Sequence, residues 1–173
     1  KLEAQQKRDR KAQEKAQKKS PTEADKKLAP TGNESSSLFQ SPKIRASSQQ
    51  RIHKVSANIK GLPQIQLHVS DLGNKNYDWA NWIEPAFIDE KGQRIPVEQK
   101  HVASSTQAWQ QLKYNQSAGG NTLMVEGKKY AIGLGTHATS TIILNVPAGA
   151  ISFTSLAALD DGGAFSKGKT TKA

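Results

Sequence analysis

From Arg51 onward apolar residues recur at every second position in short runs, and this period decides what the chain can become. The alternation is strictest in Gln64-Ile65-Gln66-Leu67-His68-Val69-Ser70. Ile65, Leu67 and Val69 fall on one face and Gln64, Gln66 and His68 on the other, the pattern of a half-buried strand. His68 lies on the wet face and reads as a surface histidine. Strands with one apolar face must bury it against another sheet, so the chain is expected to form layered β-structure.

The same reading continues along the chain. Trp82 to Ile88 and Arg94 to Glu98 form a hairpin about Asp89-Glu90-Lys91-Gly92, with Pro85 and Pro96 confining those segments to edges or bulges. Trp109 to Tyr114 is a further short strand, and Thr122 to Val125 with Lys129 to Leu134 make a hairpin about Glu126-Gly127-Lys128. Ile142, Leu144 and Val146 share a face, and Pro147-Ala148-Gly149 turns the chain. Ile151, Phe153, Ser155, Ala157 and Leu159 form the next inward row, while Leu156 and Ala158 face the other way, as in a strand buried on both sides. Eight or nine short strands with regular turn signals and no long core helix predict an all-β fold, an antiparallel β-sandwich.

The centre of this pattern is Tyr130-Ala131-Ile132-Gly133-Leu134-Gly135-Thr136-His137-Ala138-Thr139-Ser140. It reads as a strand that enters a glycine-hinged corner and leaves as a second strand. Gly133 and Gly135 allow positive φ or close approach of another chain, and the corner delivers Thr136 and His137. A bulged turn with a hydrogen-bonded histidine is the plainer reading of the same residues.

Two further stretches accompany it: Asp71-Leu72-Gly73-Asn74-Lys75-Asn76-Tyr77-Asp78-Trp79-Ala80-Asn81-Trp82-Ile83-Glu84-Pro85, and Leu159-Asp160-Asp161-Gly162-Gly163. With the G-x-G-T-H-A core at Gly133 to Ala138, the sequence from about Ile65 to Ala164 resembles the NPCBM/NEW2 family, in the form found in multidomain proteins of planctomycete-type bacteria. That family is named for carbohydrate-binding modules attached to glycoside hydrolases. The resemblance implies a jelly-roll, galactose-binding-like sandwich, a glycan ligand, and an extracellular or periplasmic location. One departure stands out. Members continue after the Asp-Asp-Gly-Gly turn with another apolar strand, whereas Phe165 to Ala173 is basic, small and unpatterned. The sandwich is therefore expected either to lack a strand at its end, leaving an edge open, or to have the gap filled by another segment.

Charge divides the chain. Residues 1–54 hold 14 basic and 6 acidic residues, hence +8 of the total of +10. Lys1 to Lys19 favours helix but has no apolar stripe to dock, Ser20-Pro21-Thr22-Glu23 is a capping box, and Asn33 to Gln50 is a serine- and glutamine-rich spacer. The organisation expected is a basic helical or disordered linker at 1–50, a β-sandwich at 51–164, and a flexible basic tail at 165–173. The opening on Lys1 suggests a piece of a longer protein with an upstream domain, and a catalytic domain there is one form it could take. Nucleic-acid binding by the arm is the third reading, since Phe39 is the sole aromatic before Tyr77 and base stacking needs such residues.

No cysteine is present, which excludes disulfides, thiolate metal sites and a cysteine nucleophile. No G-x-S-x-G elbow occurs, and His53, His68, His101 and His137 make no i, i+4 metal pair. This segment is therefore read as non-catalytic. For a sugar ring, with its apolar C–H face edged by hydroxyls, the receptor needs an exposed aromatic plate beside fixed donors and acceptors. Trp79, Trp82 and Trp109 are the candidate plates, each with a core role as the alternative, and Asp78, Thr136 and His137 the candidate polar partners. Asp71, Asp78, Asp160 and Asp161 are the carboxylates available for a structural calcium ion, with turn-forming acids as the plainer reading. A protein-interaction or assembly module on the same sandwich is the runner-up function.

Overall fold

The computed structural model describes residues 37–73 and 78–165. Of the linker expected over 1–50, residues 1–36, with the expected helices, lie outside the described residues, as does the tail beyond Phe165. Eleven strands occur among the described residues: β1 (Ile52–Asn58), β2 (Gln64–Val69), β3 (Trp79–Asp89), β4 (Arg94–Pro96), β5 (Val102–Gln107), β6 (Lys113–Tyr114), β7 (Leu123–Val125), β8 (Lys128–Tyr130), β9 (Gly133–His137), β10 (Ser140–Asn145) and β11 (Ala150–Leu159). A single helical turn, α1 (Asp161–Ala164), follows. The count exceeds the eight or nine expected because β4, β6, β7 and β8 are two or three residues long, too short to show a period.

All strand pairs are antiparallel. The larger sheet runs β1-β11-β3-β9-β6, with β4 also on β3, and the smaller runs β2-β10-β5. Between them lies a core of Val55, Ile65, Leu67, Trp82, Phe87, Leu134, Ile142, Leu144 and Phe153, drawn from both sheets. This is a β-sandwich, and the alternation in β2 places Ile65, Leu67 and Val69 inward with Gln64, Gln66 and His68 exposed.

The outer face of the larger sheet is covered as well. The β7–β8 hairpin lays Val125 and Tyr130 against Ile52, Ile83, Leu156 and Ala158. Hence β11 is buried on both sides, Phe153 toward the smaller sheet and Ala158 toward the hairpin. The hydrogen-bonding edges of β11 are both occupied, by β1 and β3, so the place beside it is filled by the strand that begins the domain.

Two expectations change in detail. Trp109 to Tyr114 is a strand only at Lys113–Tyr114, and Trp109 sits in an irregular bend ahead of it. The glycine-hinged corner is itself a strand, β9, in which neither glycine has positive φ. Close approach is what these glycines serve. A Cβ on Gly133 would lie 2.8 Å from the Trp82 carbonyl, and one on Gly135 would overlap the backbone of Gln116 and Ser117.

The body begins ahead of β1. Ile44 is buried against Leu159 and Ala164, and Phe39 packs against the main core. Docking of this kind should shield Lys43 and Arg45 from trypsin, because cleavage requires local opening of the backbone. In limited proteolysis the stable fragment is expected to retain both residues, and Ile44→Asp should expose them. Equal cleavage in the two proteins would show that the segment is not held.

Candidate functional site

The site grows from the register of β3 on β9, which sets Trp79 opposite His137, Asn81 opposite Gly135 and Ile83 opposite Gly133. Alternation then sends Trp79 and Trp82, three residues apart on one strand, to opposite faces. Trp82 goes inward and is 8% exposed in the main core. Trp79 goes outward, where a Cβ on Gly119 would overlap its six-membered ring and one on Gly162 would lie 2.9 Å from it. The indole is seated between two backbones that only glycine leaves room for.

Trp109 completes the cluster. Its ring lies parallel to Trp79, with centroids 6.4 Å apart and planes 8° apart, and edge-on to His137 at 5.7 Å. Trp109 is 46% exposed while His137 is buried. His137 Nδ1 lies 2.6 Å from the Ala138 carbonyl, which can only accept, so Nδ1 carries the proton and donates. In the neutral ring Nε2 is left as an acceptor.

The remaining candidates are differently placed. Thr136 is fully buried and donates its hydroxyl to Gln107 Oε1 at 2.6 Å. Asp78 is also fully buried, and its carbonyl accepts from the Ala138 N–H at 2.9 Å. Side chains so enclosed support the cluster and offer no open face to a ligand ring. The structure thus brings Trp79, Trp109 and His137 together and sends Trp82 and Thr136 inward.

The Asp160–Asp161 pair lies just behind. Asp160 Oδ2 accepts from Asn81 Nδ2 at 2.6 Å and from the Met124 N–H at 3.1 Å, and Oδ1 accepts from the Gly162 N–H at 2.8 Å. Burial pushes the Asp160 carboxyl above its ordinary pKa, against the pull of the Asn81 hydrogen bond. Asp161 Oδ1 lies 2.7 Å from Arg51 Nη1 and accepts from the Glu126 N–H, while Oδ2 accepts from the Gly127 N–H. Shells of N–H donors suit an anion and leave no oxygen turned toward a cation, so these two residues do not fit a metal. Asp71, on the loop after β2, accepts from the Gly73 N–H at 3.0 Å in a local turn. Among the described residues no group of three or more His, Asp or Glu side chains converges on one point.

Sequence reasoning missed Gln107, Asn81, Gly119 and Gly162. The glycines carried a signal in their spacing from turn residues, but an isolated glutamine and asparagine carry none. A groove of about 370 Å³ also exists beside Pro85, Pro96, Tyr114 and Ile132, and it does not include the tryptophan cluster. Among the described residues no helix is long and apolar enough to cross a membrane.

Gly135 gives a direct check of the architecture. Gly135→Ala drives a methyl into backbone rather than into a movable side chain, so a loss of at least about 2 kcal/mol in unfolding free energy is expected by chemical denaturation. A neutral outcome would mean that the Gln116–Ser117 crossing is not held against β9.

Comparison with curated proteins and with solved structures gives no match. The family comparison is positive, and its range takes in Trp109, Gly119, Gly135, Thr136, His137 and the Asp160–Gly162 turn, with Trp79 and Trp82 lying before it. Residues 93–172 match the family model of the NPCBM/NEW2 domain.

Proposed function

We propose that this chain is a non-catalytic carbohydrate-binding module whose site is the Trp79–Trp109–His137 cluster. The observation that supports it most is Trp109, a half-exposed indole held parallel to a seated partner and edge-on to a histidine. An indole face matches the apolar C–H face of a sugar ring, and the buried His137 packs edge-on against that indole to hold it in place. The match of residues 93–172 to the NPCBM/NEW2 family model agrees with this reading. Its role is to bring a larger protein, through the basic segment before the sandwich, to extracellular or periplasmic glycan.

The three tryptophans separate ligand contact from packing. Trp109→Ala should abolish retention of the protein by glycan, scored on a glycan array, while the unfolding free energy stays within about 1 kcal/mol of the parent. Trp82→Ala should cost about 3–5 kcal/mol by emptying the core. Undiminished glycan binding by Trp109→Ala would move the site elsewhere.

The structural calcium ion expected from the loop carboxylates is tested by thermal unfolding. After chelator treatment, a rise in Tm on adding calcium would show that the native state binds the ion, because a ligand that binds only the native state stabilises it. An unchanged Tm removes calcium from the account.

A further inference from the structure

We infer that Gln107 is the positioning residue that holds Trp109 in its binding orientation, an inference that rests on the glycan-binding reading of the cluster. Gln107 ends β5 in the smaller sheet, and Thr136 stands on β9 in the larger. Its carboxamide joins three elements. Oε1 accepts the Thr136 hydroxyl at 2.6 Å, and Nε2 donates to the Trp109 carbonyl at 3.1 Å. The neighbouring Ala108 N–H donates to the Thr139 carbonyl at 3.0 Å, so the chain is tied down on the near side of Trp109 by two bonds in succession.

The tether matters because of what surrounds it. Trp109 lies outside any strand, and Gln110 after it has a positive φ of 57°, a conformation that needs outside support in a residue with a side chain. An exposed indole on an untied bend samples several rotamers, and a ligand must then freeze them on binding. The two adjacent motif residues Thr136 and His137 therefore serve one tryptophan from opposite faces of β9. Thr136 acts inward through the Gln107 amide on the Trp109 backbone, and His137 acts outward by packing against the Trp109 ring. Gln107 touches no ligand in this scheme. It lowers the ordering cost of the residue that does.

Three variants test the assignment. Gln107→Met keeps the length of the side chain and removes both bonds. Gln107→Glu keeps the acceptor for Thr136 and sets a carboxylate against the Trp109 carbonyl. Thr136→Val removes the inner bond without touching the Trp109 segment. Each is made in the full chain labelled with 5-fluorotryptophan, with the Trp109 resonance assigned through Trp109→Phe and the core Trp82 as internal reference.

The expected result is that both Gln107 variants shift or broaden the Trp109 ¹⁹F resonance and raise its quenching by iodide, with Trp82 unmoved and Thr136→Val showing the same change to a smaller degree. Affinity electrophoresis in hydroxyethylcellulose and in galactomannan should then show binding weakened by roughly threefold to tenfold, the cost of ordering one side chain. An unchanged Trp109 resonance in both Gln107 variants overturns the inference, as does a shift of Trp82 together with a fall in Tm, which would make the role one of general packing. If the parent protein is retarded by neither polysaccharide nor bound on a glycan array, the glycan reading fails, while the resonance and quenching measurements still decide whether Gln107 sets Trp109.

Discussion

Two adjacent buried carboxylates hold the periphery of this sandwich to its centre. Asp160 and Asp161 leave β11 in different directions and are spent on different neighbours. Asp160 grips Asn81 on β3, Met124 on the covering hairpin and the turn that seats Trp79. Asp161 grips Arg51 ahead of β1 and both N–H groups of the Glu126-Gly127 turn. That turn has positive φ at both residues, which aims its donors the same way. Each buried anion is matched by several donors, the condition under which such a group can stay inside. Removing either acid would strand those donors, which is costlier than never having had the bonds.

The tryptophan cluster inherits its precision from this arrangement. Gly162 sits against the Trp79 ring because the Asp160 side chain accepts from its N–H and fixes the start of α1. Asn81, two residues along the same face of β3, is bound to that same carboxylate. The polar network and the aromatic surface are thus one construction, with acids below and indoles above.

Much of the sandwich was legible because its strands obey simple rules. β2 alternates without exception, β10 follows it, and Leu156 with Ala158 correctly marked β11 as buried on both sides. The hairpin at β7–β8 was announced by Glu126-Gly127. β9 was harder to read, since two of its five residues are glycines that contribute nothing to an apolar period. Their purpose, admitting backbone from elsewhere in the fold, is a tertiary fact. The tryptophans were ambiguous for a related reason. Until it is known that β3 starts at Trp79, a spacing of three has no parity, and parity alone decides which indole enters the core. Gln107 was invisible because its value depends wholly on two partners that folding brings to it.

The pairing of β1 with β11 joins the opening strand of the sandwich to its closing one, and the Arg51–Asp161 ion pair fastens that junction. The start of β1 and the end of β11 therefore lie side by side, Ile52 opposite Ala158. A module built this way can be spliced into a surface loop of a host protein, or strung between other units, without prying apart the structure on either side.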